Sequence, residues 1–213
     1  MKDELLAAMA DLKEEEALKI VKERLNRGDD PLKILETARA AMEIVGNRFG
    51  NGEYFIPDLV YSGEILKEIS SIVKPKLTKK EVAIKGAGKF IIGTVAGDIH
   101  DIGKDIVAFM LDVNDFEVFD LGIDVPANKF VEKIKETNAP IVGLSGFLTL
   151  AFDAMKDTIE AIKAAGLRDK VKIMIGGGQI DDEIRKYTGA DAYRPDAVSG
   201  VLLAKEWMGG KRK

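Results

Sequence analysis

The spacing of apolar residues divides the chain into an all-helical part and a part in which strands and helices alternate. In the first 75 residues, apolar positions such as Leu5 and Met9 recur at helical spacing, which predicts helices with one buried face. Pro31 and Pro57 stand where the third and fourth helices are predicted to begin, since proline suits a first helical turn. Four helices joined by short polar loops predict a small antiparallel bundle over residues 1–75.

The pattern changes after residues 76–88, which combine Pro, Gly and Lys without periodicity and are predicted to form a linker. The runs "FIIGTVA", "EVFDLG", "PIVGLSG" and "KVKIMIGGG" are typical of strands buried in a parallel sheet, and segments with helical spacing separate them. With a short fifth strand near "ADAYR", residues 89–213 are predicted to form an α/β domain. Its doubly wound five-stranded parallel sheet is expected in the flavodoxin-like (Rossmann-like) order 2-1-3-4-5.

The composition narrows the class of protein. The 213 residues carry a net charge of −4, no cysteine and one histidine. The negative charge does not favour nucleic acid or anionic membranes as partners, and the lack of cysteine excludes disulfides and thiolate metal sites. Acidic residues occupy the start, where a signal peptide would be basic, and no apolar run approaches the ~20 residues of a membrane span. We therefore expect a cytoplasmic protein with neither nucleic-acid nor membrane partners.

Three unusual loops are predicted at one edge of the sheet. They contain "GDIHDIG" after the first strand, "LSGFLT" after the third and "GGG" after the fourth. Because ligands of doubly wound sheets bind at the carboxyl ends of the strands, this coincidence predicts a ligand site there.

The single histidine, His100, lies in the first of these loops. Asp98 could accept its Nδ1 proton and leave Nε2 free to bind a metal or act as a base. One histidine without cysteine does not supply the ligands of a zinc site, which leaves a metal held mainly by a cofactor, such as a macrocycle with one axial histidine. A structural or solvated histidine and a general base stay open, although no Ser–His–Asp arrangement is readable from the spacing.

The glycines of these loops also allow two interpretations. Gly97 and Gly103 suit a tight turn and close helix packing, and Gly176–Gly178 suit the end of a strand. The loop lacks the G-K-S/T ending of a phosphate-binding Walker loop and the G-x-G-x-x-G of a dinucleotide site. Alternatively, a glycine-only strand end beside Ser145 lets a bulky flat or elongated group lie against the backbone.

Asp98, His100 and Gly103 together form D-x-H-x-x-G, a motif of cobalamin-binding proteins. The chain most resembles the small corrinoid proteins of methanogen and acetogen methyltransferase systems and the matching module of cobalamin-dependent methionine synthase. "FGNGEYFIPDLVYSGEILK" is similar to the helical cap of that family. "GDIHDIGKDIV", "VGLSGFLT" and "IGGG" stand in the order and spacing of its cobalamin-binding domain, so the resemblance covers nearly the whole chain.

The resemblance implies a role for each loop. His100 would bind cobalt from below in place of the cofactor's own base, the base-off/His-on state, and Asp98 would orient it. Phe55 or Tyr54 of the cap would cover the upper corrin face. The cofactor-binding residues implied by the match, including those beside the displaced nucleotide tail, are Asp98, His100, Asp101, Ile102, Gly103, Ser145, Phe147, Thr149, Gly176, Gly177 and Gly178.

Two positions depart from the family pattern. Phe147 replaces a frequent leucine, which is expected to alter the shape of the tail slot. Ala151 stands where methionine synthase has a serine that bonds the ligand-orienting aspartate. A hydrogen bond to Asp98 must therefore come from elsewhere, for example from Thr149 or a water molecule.

The implied function is that of a methyl carrier, a subunit of an enzyme system and not a complete enzyme. Its cobalt would cycle between methyl-Co(III) and Co(I), taking a methyl group from a substrate:corrinoid methyltransferase. An acceptor methyltransferase using tetrahydrofolate or a thiol would receive the group, and a reductive activase is a further expected partner. The linker would let the cap move aside. The sequence does not identify the methyl donor.

Three rival functions remain at this point. A mutase domain that binds adenosylcobalamin would share the histidine loop but needs a catalytic barrel, for which 213 residues leave no room. A cobalamin-binding regulatory or sensor module would have a similar cap and is normally fused to a DNA-binding segment, which is not visible here. An unrelated flavodoxin-like protein would hold a flavin or no ligand.

Overall fold

The computed structural model describes residues 3–77 and 86–209, and the chain divides into two units, Met1–Lys85 and Gly86–Lys213. Most of the predicted linker, residues 78–85, lies outside the described residues, so its role as a hinge stays a prediction. None of the described helices is long and apolar enough to cross a membrane.

The first unit contains the four predicted helices. Asp3 caps the first, because its carboxylate accepts from the backbone N–H groups of Leu5 and Leu6. Pro31 opens the third behind the Asp30 cap. A short 3-10 turn at Lys74–Lys76 follows the last helix. The helices are α1 (Glu4–Ala10), α2 (Glu14–Arg27), α3 (Pro31–Gly50) and α4 (Ile56–Val73).

The apolar stripes of these helices face one another, as their spacing predicts. The large apolar side chains of the inner faces are removed from water, which is the main source of stability for a bundle, whereas Val60 and Tyr61 of α4 are exposed. The buried core includes Leu5, Met9, Val21, Ile34, Leu35, Leu59, Ile65, Leu66 and Ile69.

The second unit confirms the predicted α/β fold. Its five strands are parallel and lie in the order β2-β1-β3-β4-β5. The strands are β1 (Gly88–Thr94), β2 (Phe116–Asp120), β3 (Ile141–Ser145), β4 (Lys172–Gly176) and β5 (Ala192–Tyr193). The helices are α5 (Ile102–Val113), α6 (Ala127–Thr137), α7 (Leu150–Ala164), α8 (Asp182–Thr188) and α9 (Ala197–Trp207).

Helices cover both faces of the sheet, which explains why its strands read as continuous apolar runs. Phe130 of α6 and Met155 of α7 belong to the hydrophobic cluster on one face. On the other face α5 and α9 pack against each other, and α9 approaches β4 at Gly200, where an added Cβ would lie 3.8 Å from the Met174 sulfur.

Strand register places the ends of the three central strands in one row. Thr94 of β1 pairs with Ser145 of β3, and Ser145 pairs in turn with Gly176 of β4. Because all strands are parallel, the loops that follow them emerge at this same edge. The predicted convergence of the three unusual loops is therefore a direct consequence of the topology.

Helix α5 departs from its apolar pattern at its first turn. The helical spacing of Ile102, Ile106, Phe109 and Met110 predicts one apolar stripe. Ile102 is nevertheless 72% exposed, whereas Lys104 is only 3% exposed. The Lys104 ammonium contacts the carboxylates of Asp105 and Asp120 at 2.5 Å, and Asp120 ends strand β2. Burial alone would lower the pKa of Lys104, but hydrogen bonds to these two carboxylates raise it, so the buried charge is retained.

We expect Lys104→Ala to lower the free energy of unfolding by about 2–3 kcal/mol, because it removes the buried partner of two carboxylates. Denaturant titration of the ligand-free protein measures this. Lys129→Ala is the matched control, since its exposed pair with Glu132 should contribute less than about 0.5 kcal/mol. Equal effects of the two variants would contradict a structural role for the buried pair.

Candidate functional site

The loop after β1 holds His100 in a fixed orientation. The imidazole Nδ1 lies 2.7 Å from Oδ1 of Asp98, and the backbone N–H of His100 donates to the same oxygen at 3.0 Å. From the end of β1, the hydroxyl of Thr94 donates to the His100 carbonyl at 2.9 Å. Both the main chain and the ring are therefore positioned from the sheet, while half of the side chain remains exposed.

Asp98 is completely buried and bridges two loops. Its second oxygen, Oδ2, accepts from the backbone N–H groups of Phe147 at 2.6 Å and Leu148 at 2.9 Å. These donors answer the question raised by Ala151. The partner of the carboxylate is not the Thr149 side chain suggested by the sequence but the backbone of the loop after β3.

This environment keeps Asp98 ionised. Burial by itself would raise the pKa of its carboxyl. The backbone N–H groups of Leu148, His100 and Phe147, with the imidazole, outweigh burial and hold that pKa well below its usual range. An ionised carboxylate can only accept a hydrogen bond, so the proton of a neutral imidazole resides on Nδ1. The lone pair of Nε2 is then free to bind a metal.

Phe147 supports the imidazole directly. The two ring centroids lie 4.7 Å apart with a tilt of 32°. On its other side, the Phe147 ring lies against Gly178, where an added Cβ would be 2.7 Å from a ring carbon. The departure at Phe147 thus places an aromatic ring against His100 and Gly178, two residues predicted to bind the cofactor.

Six large apolar side chains are exposed at this edge, in the loops or at the first residue of the helix that follows, and we refer to them as the apolar rim. Exposed apolar groups collected around a polar centre mark a binding surface. The sequence analysis named only Ile102 and Phe147 of these six. The others could have been found as large apolar residues that follow strands β1, β2 and β3. The apolar rim comprises Ile99, Ile102, Ile123, Phe147, Leu148 and Leu150.

The glycines fall into two groups. Gly97 and Gly177 have positive φ, and an added Cβ on Gly177 would lie 1.8 Å from the Gly146 carbonyl oxygen, so the backbone itself requires glycine there. At Gly103, by contrast, an added Cβ would meet no described atom within 4 Å, and at Gly176 it would make only ordinary contact with the Arg194 carbonyl. The fold does not require these two glycines, and they leave open space beside the site.

The remaining polar residues of the site are available to a ligand. Ser145 is half-buried at the end of β3, and its hydroxyl has no hydrogen-bond partner among the described residues. Thr149 is exposed before α7, and Asp101 is exposed at the start of α5, where its carboxylate does not cap the helix.

The structure distinguishes the two aromatic residues predicted for the upper face. The Tyr54 hydroxyl donates to the Ala10 carbonyl at 2.8 Å and accepts from Arg48 at the same distance, so it belongs to the framework of the helical unit. Phe55 is 67% exposed. Its role and those of the other predicted site residues in cofactor binding stay predictions.

The donor set fits a macrocyclic metal cofactor. Within residues 3–77 and 86–209, no group of three His, Cys, Asp or Glu side chains could hold a metal ion. One imidazole on a broad apolar rim instead suits a metal whose other ligands come from a macrocycle. Gly103 and Gly176 leave room for a substituent of that macrocycle, and the Ser145 hydroxyl, which has no partner in the described part of the chain, offers it a polar contact.

We expect Asp98→Asn to lower the free energy of unfolding of the ligand-free protein by about 2–4 kcal/mol, because an amide cannot accept from all four N–H groups. Chemical denaturation is the measurement. Asp101→Asn, the same change three residues away on an exposed carboxylate, should leave stability within about 0.5 kcal/mol of the parent. If Asp98→Asn were equally harmless, the carboxylate would not be the element that joins the two loops.

Comparisons with known proteins agree with this chemistry. Residues 88–202 match a family described as "B12 binding domain", and residues 1–74 match a second family with the same description. The trimethylamine corrinoid protein of Methanosarcina barkeri is 39% identical over 209 residues, which cover 96% of each chain.

Solved structures lead to the same group of proteins. A cobalamin-binding protein from Desulfitobacterium hafniense DCB-2 has a TM-score of 0.85 at 41% identity, covering 95% of this chain and 96% of the other. The monomethylamine corrinoid protein of Methanosarcina barkeri has a TM-score of 0.54 at 32% identity, with coverage of 96% and 97%.

Proposed function

Because the chain belongs to the family of B12-binding corrinoid proteins, we propose that it carries a methyl group between two methyltransferases. One partner would take the group from a substrate, and the other would pass it to an acceptor such as tetrahydrofolate or a thiol. The observation that carries the proposal is the single imidazole of His100, which Asp98 orients beside an apolar rim.

When bound, the corrinoid supplies a cobalt centre that accepts and releases the methyl group, and the protein supplies ligation, orientation and a dry site. In our proposal Nε2 of His100 would be the protein's ligand to the metal, in the base-off/His-on state. Asp98 accepts from Nδ1, which holds the ring in place with Nε2 directed to the metal. The apolar rim, with Phe147 stacked on the ring, excludes water from the lower face.

The displaced nucleotide tail is proposed to lie along the row of strand ends. Ser145 offers a hydroxyl that no described residue binds, Gly176 leaves the backbone uncovered, and Gly103 leaves space beside α5. On the opposite face of the corrin we propose Phe55, whose side chain is exposed, over Tyr54, whose hydroxyl is already bonded twice. We place the protein in the cytoplasm, with a reductive activase as a third partner.

His100 is the only histidine, which permits a selective test of ligation. The protein is prepared with ¹⁵N-histidine, loaded with cobalamin and reduced to the paramagnetic Co(II) state. We expect the axial-nitrogen splitting in the EPR spectrum to change from the three-line pattern of ¹⁴N to the two-line pattern of ¹⁵N.

The matched variants are His100→Gln, which should lose this splitting, and Asp169→Asn, an exposed change at the other edge of the sheet, which should keep it. A pattern that the isotope leaves unchanged would show that the cofactor's own base, and not His100, binds the metal.

The carrier role is tested by transfer. Protein loaded with methylcobalamin is mixed with a corrinoid-dependent thiol methyltransferase, and loss of the methyl group is followed by absorbance. We expect methyl transfer to be faster than from the same concentration of free methylcobalamin. His100→Ala should lower the transfer rate about tenfold or more, because the metal ligand and the orientation that it provides are lost. Transfer from free cofactor but not from the loaded protein would contradict the carrier role and favour a sensor.

A further inference from the structure

Arg194 continues the row of strand ends that forms the proposed tail site. It follows Tyr193, which pairs with Ile175, and its backbone N–H donates to the Ile175 carbonyl at 3.2 Å. Arg194 therefore stands level with Gly176, just as Gly176 stands level with Ser145. An added Cβ on Gly176 would lie 3.5 Å from the Arg194 carbonyl oxygen, which confirms how closely the two strand ends approach.

The direction of the Arg194 side chain follows from the alternation of the strand. Tyr193 packs against the hydrophobic cluster on the α6 and α7 face. Successive residues of a strand point to opposite faces, so Arg194 begins on the face of α5 and α9. Ser145 and Gly176 lie on that same face, because their neighbours Leu144 and Ile175 belong to the cluster.

The charge of Arg194 is not neutralised by the described part of the protein. Its guanidinium donates from Nη1 to the adjacent Tyr193 carbonyl at 2.8 Å, and no carboxylate pairs with it in residues 3–77 and 86–209. A guanidinium has five N–H donors, so most remain available. The side chain is half-buried, which limits the positions that it can reach and reduces solvent screening.

We propose that Arg194 binds the phosphodiester of the corrinoid's nucleotide tail and thereby sets the preference of this protein for corrinoids that carry the phosphate. This inference rests on the proposed function. The phosphodiester is the anionic group of that tail, and a planar guanidinium is well suited to two phosphate oxygens at once. Ser145 supplies a neutral hydrogen bond on the same row. Gly176, between Ser145 and Arg194, has no side chain that would block the tail.

The experiment compares three corrinoids on the full-length protein. Cobalamin carries the complete tail, cobinamide phosphate carries the phosphate without the base, and cobinamide carries neither. Dissociation constants come from absorbance titration or from competition with cobalamin. The variants are Arg194→Met, Arg194→Lys, and Lys170→Met, which makes the same charge change at the amino-terminal edge of the sheet.

We expect Arg194→Met to weaken cobalamin and cobinamide phosphate by about 10- to 30-fold and cobinamide by less than about twofold, because one charge-assisted contact is lost. Arg194→Lys should recover part of the loss, and Lys170→Met should change none of the constants. The advantage of cobinamide phosphate over cobinamide should shrink with increasing salt in the parent but not in Arg194→Met.

Each other outcome is decisive. Equal affinities of the parent for cobinamide and cobinamide phosphate, including failure of both to compete with cobalamin, would overturn the inference. So would an Arg194→Met variant that weakens all three corrinoids alike while its unfolding midpoint falls, because the side chain would then be structural. Failure of the parent to bind cobalamin at all would instead contradict the proposed function.

Discussion

The site depends on one buried carboxylate. Asp98 is removed from water, and such a charge is tolerated only when hydrogen bonds replace its hydration. Four N–H groups do so, two from His100 on one oxygen and two from Phe147 and Leu148 on the other. Because the donors come from the loops after β1 and β3, which are neighbouring strands, the same charge fixes the imidazole and joins the loops that carry the apolar rim.

Backbone donors explain how the Asp98 carboxylate is fully hydrogen-bonded although position 151 is an alanine. A serine hydroxyl is one way to satisfy the second oxygen of the aspartate, but here that oxygen already has two partners. Ala151 is fully buried, and an added Cβ on Gly146 would lie only 2.6 Å from its methyl group. Gly146 therefore packs closely on Ala151 in the same loop whose N–H groups bind the carboxylate.

The sequence was sufficient to predict the fold and the convergence of three loops at one edge of the sheet. Buried parallel strands produce apolar runs of recognisable length, and strand polarity then places the loops of His100, Ser145 and Gly176 on one edge. The bonds from Phe147 and Leu148 could not be read, because a backbone N–H has no residue signature. The sequence also did not predict that Lys104 of α5 is buried while Ile102 is exposed. Periodicity does not reveal that a carboxylate, here Asp120, lies close by on a neighbouring strand.

The edge of the sheet combines two surfaces of opposite character. The apolar rim, which includes Ile99 and Ile102, lies beside the imidazole. Exposure of this apolar surface to water is unfavourable, so a ligand that covers it is stabilised. Along the strand ends, by contrast, Ser145 and Arg194 offer a hydroxyl and a cation separated by a bare glycine. An apolar ligand would cover only the apolar rim, and a small anion would bind only to the polar residues at the strand ends. A ligand with a wide apolar face and a polar, anionic arm satisfies both, and a corrinoid with its nucleotide tail has this form.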